Sequence, residues 1–170
     1  MDHFTNPEIG YFAALLDEAS ERLYDVLSTA DVRQLHFLPD ASYLSMAKLA
    51  KHMMWGEAVW IRRLGEEEIP PYLGELLGDL SADNLASAGE TDETSAELID
   101  AGRRLRADYS FPILRSLADL DMKLDAVRGP TTVRQILTHV LWHWTYHSGQ
   151  VGLLLLQAGY DYQWEFEANR

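Results

Sequence analysis

The chain has 170 residues, of which 47% are hydrophobic and 24% charged, and it contains no cysteine. That length can bury a core unaided, as expected of one domain over residues 1–170, and the missing cysteines exclude a disulfide framework, a thiolate metal site and a thiol nucleophile of its own. A formal net charge of −13 repels phosphate backbones and anionic lipid surfaces, which argues against nucleic-acid and membrane partners.

The first ten residues lack the basic and apolar regions of a signal peptide. The longest strongly apolar run, Val151–Leu156, falls far short of the roughly 20 residues a membrane span needs. A cytoplasmic protein is expected.

Four long helical patterns follow one another, with no convincing strand. The first opens on Asn6-Pro7-Glu8, an N-cap residue, a proline at the first helical position and an acid facing the helix dipole. Phe12, Leu15, Leu16, Ala19, Leu23, Val26 and Leu27 then recur at helical spacing, to about residue 29. Asp31 to Ser42 reads as a connector with turn chemistry at Pro39-Asp40. Ser42 or a neighbour caps a second helix that runs to about Leu64 and stops at Gly65. Its apolar stripe is Leu49, Met53, Gly56, Trp60 and Leu64, with His52 beside it and pointing inward.

Residues 65–93 carry Pro70-Pro71, four glycines and many acids, and read as a long crossover, with a functional lid as the alternative, in which Tyr72–Leu80 makes a short amphipathic turn or helix. The third helix starts at the capping box Thr94-Ser95-Ala96-Glu97 and continues to about Leu120, with Pro112 kinking it or opening a gap in its hydrogen bonds. A second capping box, Thr132-Val133-Arg134-Gln135, starts the fourth helix, which runs to about Ala158 with Gly159 as its stop. The tail keeps Tyr162, Trp164 and Phe166, too much aromatic surface to leave in water, so it folds back or packs on a partner. Four amphipathic helices with one long connection lead to an all-α four-helix bundle.

The fourth helix carries His139, His143 and His147, each four residues from the next. Residues at i and i+4 lie one turn apart on one face, the spacing by which two imidazoles share a metal ion. Projected at about 100° per residue, the apolar face is Val133, Ile136, Val140, Trp144, Val151, Leu154 and Ala158. His143 and His147 fall inside that arc and His139 at its edge. Two imidazoles therefore replace apolar residues in an inward stripe, and a buried ring without partners costs about 1–3 kcal/mol. A third inward histidine, His52, stands on another helix. Three histidines leave positions open on zinc or a similar ion for water and substrate. No Glu-x-x-His, His-Glu-x-x-His, Gly-x-Ser-x-Gly or P-loop occurs, so a mononuclear all-histidine site is what remains.

The stretch "LTHVLWHWTYHSGQVGLLLLQAGYDY" resembles the last helix of the DinB (damage-inducible) family of metal-binding four-helix bundles, where the pattern is H-x-x-x-H-R-G-Q. "LAKHMMWGEAVWIRRL" is similar to that family's second helix, where one ligand histidine precedes an aromatic-rich stretch. Carried over by position, the resemblance implies His52, His143 and His147 as metal ligands, with His139 a neighbour and Gln150 supporting the site from behind. The family's frequent arginine after the last histidine is Ser148 here, which removes whatever that arginine does. The resemblance further implies one divalent ion (zinc, nickel, iron or manganese), a homodimer and a small-molecule substrate. It also implies a metal-dependent S-transferase using a low-molecular-weight thiol such as mycothiol, bacillithiol or glutathione. A hydrolase using metal-activated water and a non-catalytic, metal-stabilised stress-response bundle are the alternatives. Glu57, Tyr146 and Trp55 are candidate pocket residues, each with a structural role as the plainer reading.

Overall fold

In the computed structural model, residues 4–65, 67–78, 92–124, 131–160 and 162 are described. The helix starts follow from local chemistry. Asn6 accepts from the Glu8 N–H and opens helix α1, Pro7–Thr29. Asp31 and Gln34 close a capping box around the four-residue helix α2, Val32–Leu35, inside the segment expected to be a plain connector. Helix α3, Met46–Ile61, is capped by Ser45 rather than Ser42, because Ser42 is held in a turn by Asp40. Thr94 with Glu97 and Thr132 with Gln135 form the two expected capping boxes, starting α5 (Ser95–Leu105) and α7 (Val133–Gln157).

The expected third helix is interrupted, and it ends earlier than expected. After α5 the chain forms a π-helical turn, Arg106–Ser110, and then α6, Phe111–Ser116. Pro112 has no N–H to give, and the register changes just before it: the Phe111 N–H bonds to the Arg106 carbonyl five residues back. One feature without a sequence signal is a two-residue antiparallel ladder, Lys123–Leu124 (β1) against Thr131–Thr132 (β2). Two residues are too few for an alternation to show.

The described residues are thus mostly helical, with α2 added to the expected elements, the short element expected in the crossover present as helix α4 (Pro71–Leu77), and one long helix broken into α5, π turn and α6. Helices α1 and α3 both pack along α7, α5 packs on α1 and α3, and α6 packs on α1. Leu16, Leu23, Leu27, Met53, Ile61, Leu105, Ile113, Val140 and Trp144 meet in the core between them. The crossover contains α4, Pro71–Leu77, with Leu73 and Leu77 fully buried. Tyr72 anchors it: its hydroxyl donates to Asp108 at 2.8 Å, and the Arg104 guanidinium lies 4.0 Å above its ring. Where the crossover rejoins the bundle, the buried Lys51 ammonium meets Glu93 at 2.7 Å. Residues 79–91, including the expected end of the short helix at Leu80, lie outside the described residues, as do Trp164 and Phe166. Tyr162 packs partly buried against the core. Among the described residues no helix is long and apolar enough to cross a membrane.

Candidate metal centre

Helix α3 presents His52, and α7 presents His143 and His147 one turn apart. Their packing brings one ring nitrogen of each within 4.8 Å of the others. His52 Nε2 and His143 Nε2 are 2.8 Å apart, and the three ring centroids stand 4.5, 4.8 and 4.6 Å from one another. His52 and His143 are buried, and His147 is half-buried. Two nitrogens about 2.0–2.1 Å from one zinc ion stand at most about 4.2 Å apart, so the three rings lie within a small side-chain adjustment of holding one ion.

The approach depends on Gly56, one turn after His52. A Cβ at that position would lie 2.6 Å from His143 Cε1, inside contact distance. Glycine in mid-helix costs about 1 kcal/mol relative to alanine. Here the missing side chain is the space the His143 ring occupies. Trp55 lies parallel to His52 with centroids 6.1 Å apart.

His147 is oriented from behind. Its Nδ1–H donates to Gln150 Oε1 at 2.6 Å, which leaves the Nε2 lone pair for the cluster. Gln150 also reaches the Tyr146 hydroxyl at 3.5 Å. Burial, and then the neighbouring His147, holds the His52 imidazole down to about 4. Burial, followed by His52, His147 and His139, holds His143 down to about 3. Burial also lowers His147, against an opposing pull from its bond to Gln150. All three rings are therefore neutral near pH 7, the protonation state in which an imidazole can ligate.

The polar balance of the cluster points to a ligand. The buried Nδ1 atoms of His52 and His143 have no hydrogen-bond partner among the described residues. Their Nε2 atoms face only each other. Two neutral imidazoles whose Nε2 atoms stand 2.8 Å apart share at most one hydrogen bond, and a divalent ion between them would take both Nε2 lone pairs and leave each Nδ1 as the N–H. The set His52, His143 and His147 therefore fits an ion, and no carboxylate belongs to that group among the described residues.

The other candidates lie around this cluster in different ways. His139 stays outside it, half-buried, tilted against Trp60 at 4.5 Å and stacked on His143 at 6.0 Å, and lowered in pKa by burial and by Arg63. Tyr146 is half-exposed, lies edge-on to His147 at 5.0 Å and stacks on Trp142 at 5.2 Å. Glu57 is fully buried and engaged elsewhere. Its carboxylate accepts from Arg106 at 3.2 and 3.4 Å and from the Ser110 hydroxyl at 2.6 Å. Arg106 also donates to the Leu16 carbonyl at 2.8 Å and to the Ser20 hydroxyl, and lies 4.7 Å over the Trp144 ring. Arg106, Ser110 and Ser20 carry no sequence signal for this role. Gly56 carries one: a glycine in an inward helical stripe marks a close approach.

The DinB family model matches residues 1–165. The chain belongs to the DinB family. No curated protein matches it. Within this DinB-family chain, Ser148 is the residue that departs from the expected motif, and its hydroxyl turns back onto its own helix, donating to the Trp144 carbonyl at 2.7 Å.

Proposed function

We propose that this DinB-family chain is a cytoplasmic, single-domain four-helix bundle that holds one divalent ion on His52, His143 and His147 and transfers a small-molecule thiol to an electrophilic substrate. The observation that carries the reading is the convergence of three neutral histidines, two of them buried and His147 half-buried, with no carboxylate in the set among the described residues. Three neutral ligands leave the full charge of the ion uncompensated and leave positions on it open. When bound, such an ion lowers the pKa of a coordinated thiol and makes the thiolate available at neutral pH. The chain has no cysteine, so the sulfur comes from a co-substrate.

The protein's own part is orientation and exclusion of water. Gly56 admits the His143 ring, Trp55 backs His52, and Gln150 fixes the His147 tautomer. In the transfer a carbon–sulfur bond forms from the thiolate while the bond to the leaving group, or the ring carbon–oxygen bond of an epoxide, breaks with its electron pair on the departing atom; the thiol proton passes to solvent, and an epoxide oxygen takes one up from it.

The test is turnover of an electrophilic aryl or epoxide acceptor by protein loaded with zinc, nickel, iron(II) or manganese. Glutathione, bacillithiol and mycothiol are supplied in turn. Conjugation that requires both metal and one of these thiols, and that is lost in His143→Ala, is the expected result. Hydrolysis of ester or amide substrates without any thiol would replace the transferase reading with that of a hydrolase. No turnover of either kind would leave a non-catalytic metal protein.

A further inference from the structure

The two helices that carry the histidines are almost free of acid. Helix α3 has 16 residues and α7 has 25, and between them they hold one carboxylate, Glu57, in a chain that has 27 acidic residues. Glu57 is fully buried and paired with Arg106 at 3.2 Å, so its charge is offset where it stands. The same helices admit the cations Lys48, Lys51 and Arg134. Burial accounts for part of this on α3. It does not on α7, whose exposed positions include Gln135, Thr138, Thr145 and Gln157, where a charge would cost nothing.

For metal affinity alone, carboxylates nearby would help, since they attract a cation. A chain this acidic that keeps them off both helices of its histidine cluster favours the approach of something negative.

A cation stands in the right place to receive it. Arg63 follows the end of α3 and is exposed, with its guanidinium 4.2 Å over the Trp60 ring. Trp60 lies 4.5 Å from His139, and His139 stacks on His143 at 6.0 Å, so a wall of rings runs from the guanidinium to the cluster. Trp60 and His139 are half-buried, which leaves the wall partly open to solvent. Arg22, Arg103, Arg106 and Arg134 pair with carboxylates at 2.6–3.2 Å. Among the described residues no carboxylate pairs with Arg63. The His143 ring packs at the level of Gly56, and Arg63 comes seven residues later, about 10 Å further along the axis.

We propose that Arg63 receives a carboxylate of the thiol co-substrate, so that the site takes a carboxylate-bearing thiol in preference to a neutral one. The inference rests on the thiol reading of the histidine cluster. The length fits: an extended chain advances about 3.3–3.6 Å per residue, so a thiol two or three residues long spans from the histidines to Arg63. The chemistry fits as well. A guanidinium accepts a carboxylate on two parallel N–H bonds, and its seat on Trp60 holds it in place beforehand. The net charge of −13 does not oppose this, because at physiological salt charges more than about 8 Å away are largely screened and near groups decide.

Titration of the cobalt(II)-loaded full chain with thiols tests it, read by the sulfur-to-cobalt charge-transfer band of a bound thiolate. At least one of glutathione and bacillithiol, which carry carboxylates, should bind about tenfold or more tightly than its own esterified form. It should also bind more tightly than mycothiol, which carries none, and the preference should shrink as salt is raised. Arg63→Gln should weaken the acid thiol about tenfold and leave its ester and the cobalt content unchanged. Arg63→Lys should recover part of the loss, since an ammonium keeps the charge without the planar fork. Equal affinity for acid and ester, tighter binding of mycothiol, or an equal effect of Arg63→Gln on acid and ester would overturn the inference and leave the thiol reading standing. No band with any of these thiols would remove the thiol reading and the inference with it.

Discussion

Two buried polar clusters lie side by side on the same helices. His52 and Glu57 are five residues apart on α3, and His143 and Trp144 are adjacent on α7. The Glu57–Arg106 cluster is saturated. The carboxylate accepts from Arg106 and Ser110, and the guanidinium also reaches a carbonyl and a hydroxyl of α1 and covers the Trp144 ring. The histidine cluster is not saturated, since two of its buried ring nitrogens lack partners and two others face each other. A buried polar group is retained either because its neighbours satisfy it or because something that arrives later does. The first cluster joins α1, α3, α7 and the π turn, and the second is a set of three histidines that could hold a metal ion.

That contrast breaks most forcefully at Arg106. Arg106→Met would leave the Glu57 carboxylate buried with only Ser110 to bond, and removing one partner of a buried ion pair costs about 3–5 kcal/mol. Urea denaturation should register a loss of that size even in metal-free protein, and a loss under about 1 kcal/mol would show that the cluster is not the fold's staple. The histidine side is sharpened by Gln150→Leu. It removes the acceptor that orients His147, and loss of such a supporting bond weakens metal affinity roughly 10–100-fold. A competition titration against a chelator should show this with little change in unfolding. Gly56→Ala should act in the same direction but less. The new methyl pushes His143 off its rotamer, a cost of about 0.5–1.5 kcal/mol or up to roughly tenfold in affinity. The same substitution adds helix propensity, so stability should hold while affinity falls.

How much of this the sequence shows depends on the kind of signal. The starts at Asn6, Thr94 and Thr132 were legible because capping is local chemistry, and the structure places all three caps there. The inward set of His52, His143 and His147 followed from projecting regular helices, and α3 and α7 are regular through those residues. Arg106 was illegible for the converse reason. The π turn adds a residue to the helical repeat, so a projection at constant angle loses its phase there, and while Tyr109 is buried as its apolar spacing suggests, Arg106 and Ser110 turn inward unannounced. Helix α2 has a capping box in Asp31 and Gln34 but no apolar period to draw attention to it. Gly56 signalled a close approach without saying to what.

The central claim is that His52, His143 and His147 bind an ion while His139 stands aside. Elemental analysis of the purified, untagged chain beside His52→Ala, His147→Ala and His139→Ala tests it most directly. The expected result is about one ion per chain, as a three-histidine site would hold, absent from the first two variants and retained in the third. No metal after reconstitution with zinc, nickel, iron and manganese, or equal loss in all three variants, would contradict it.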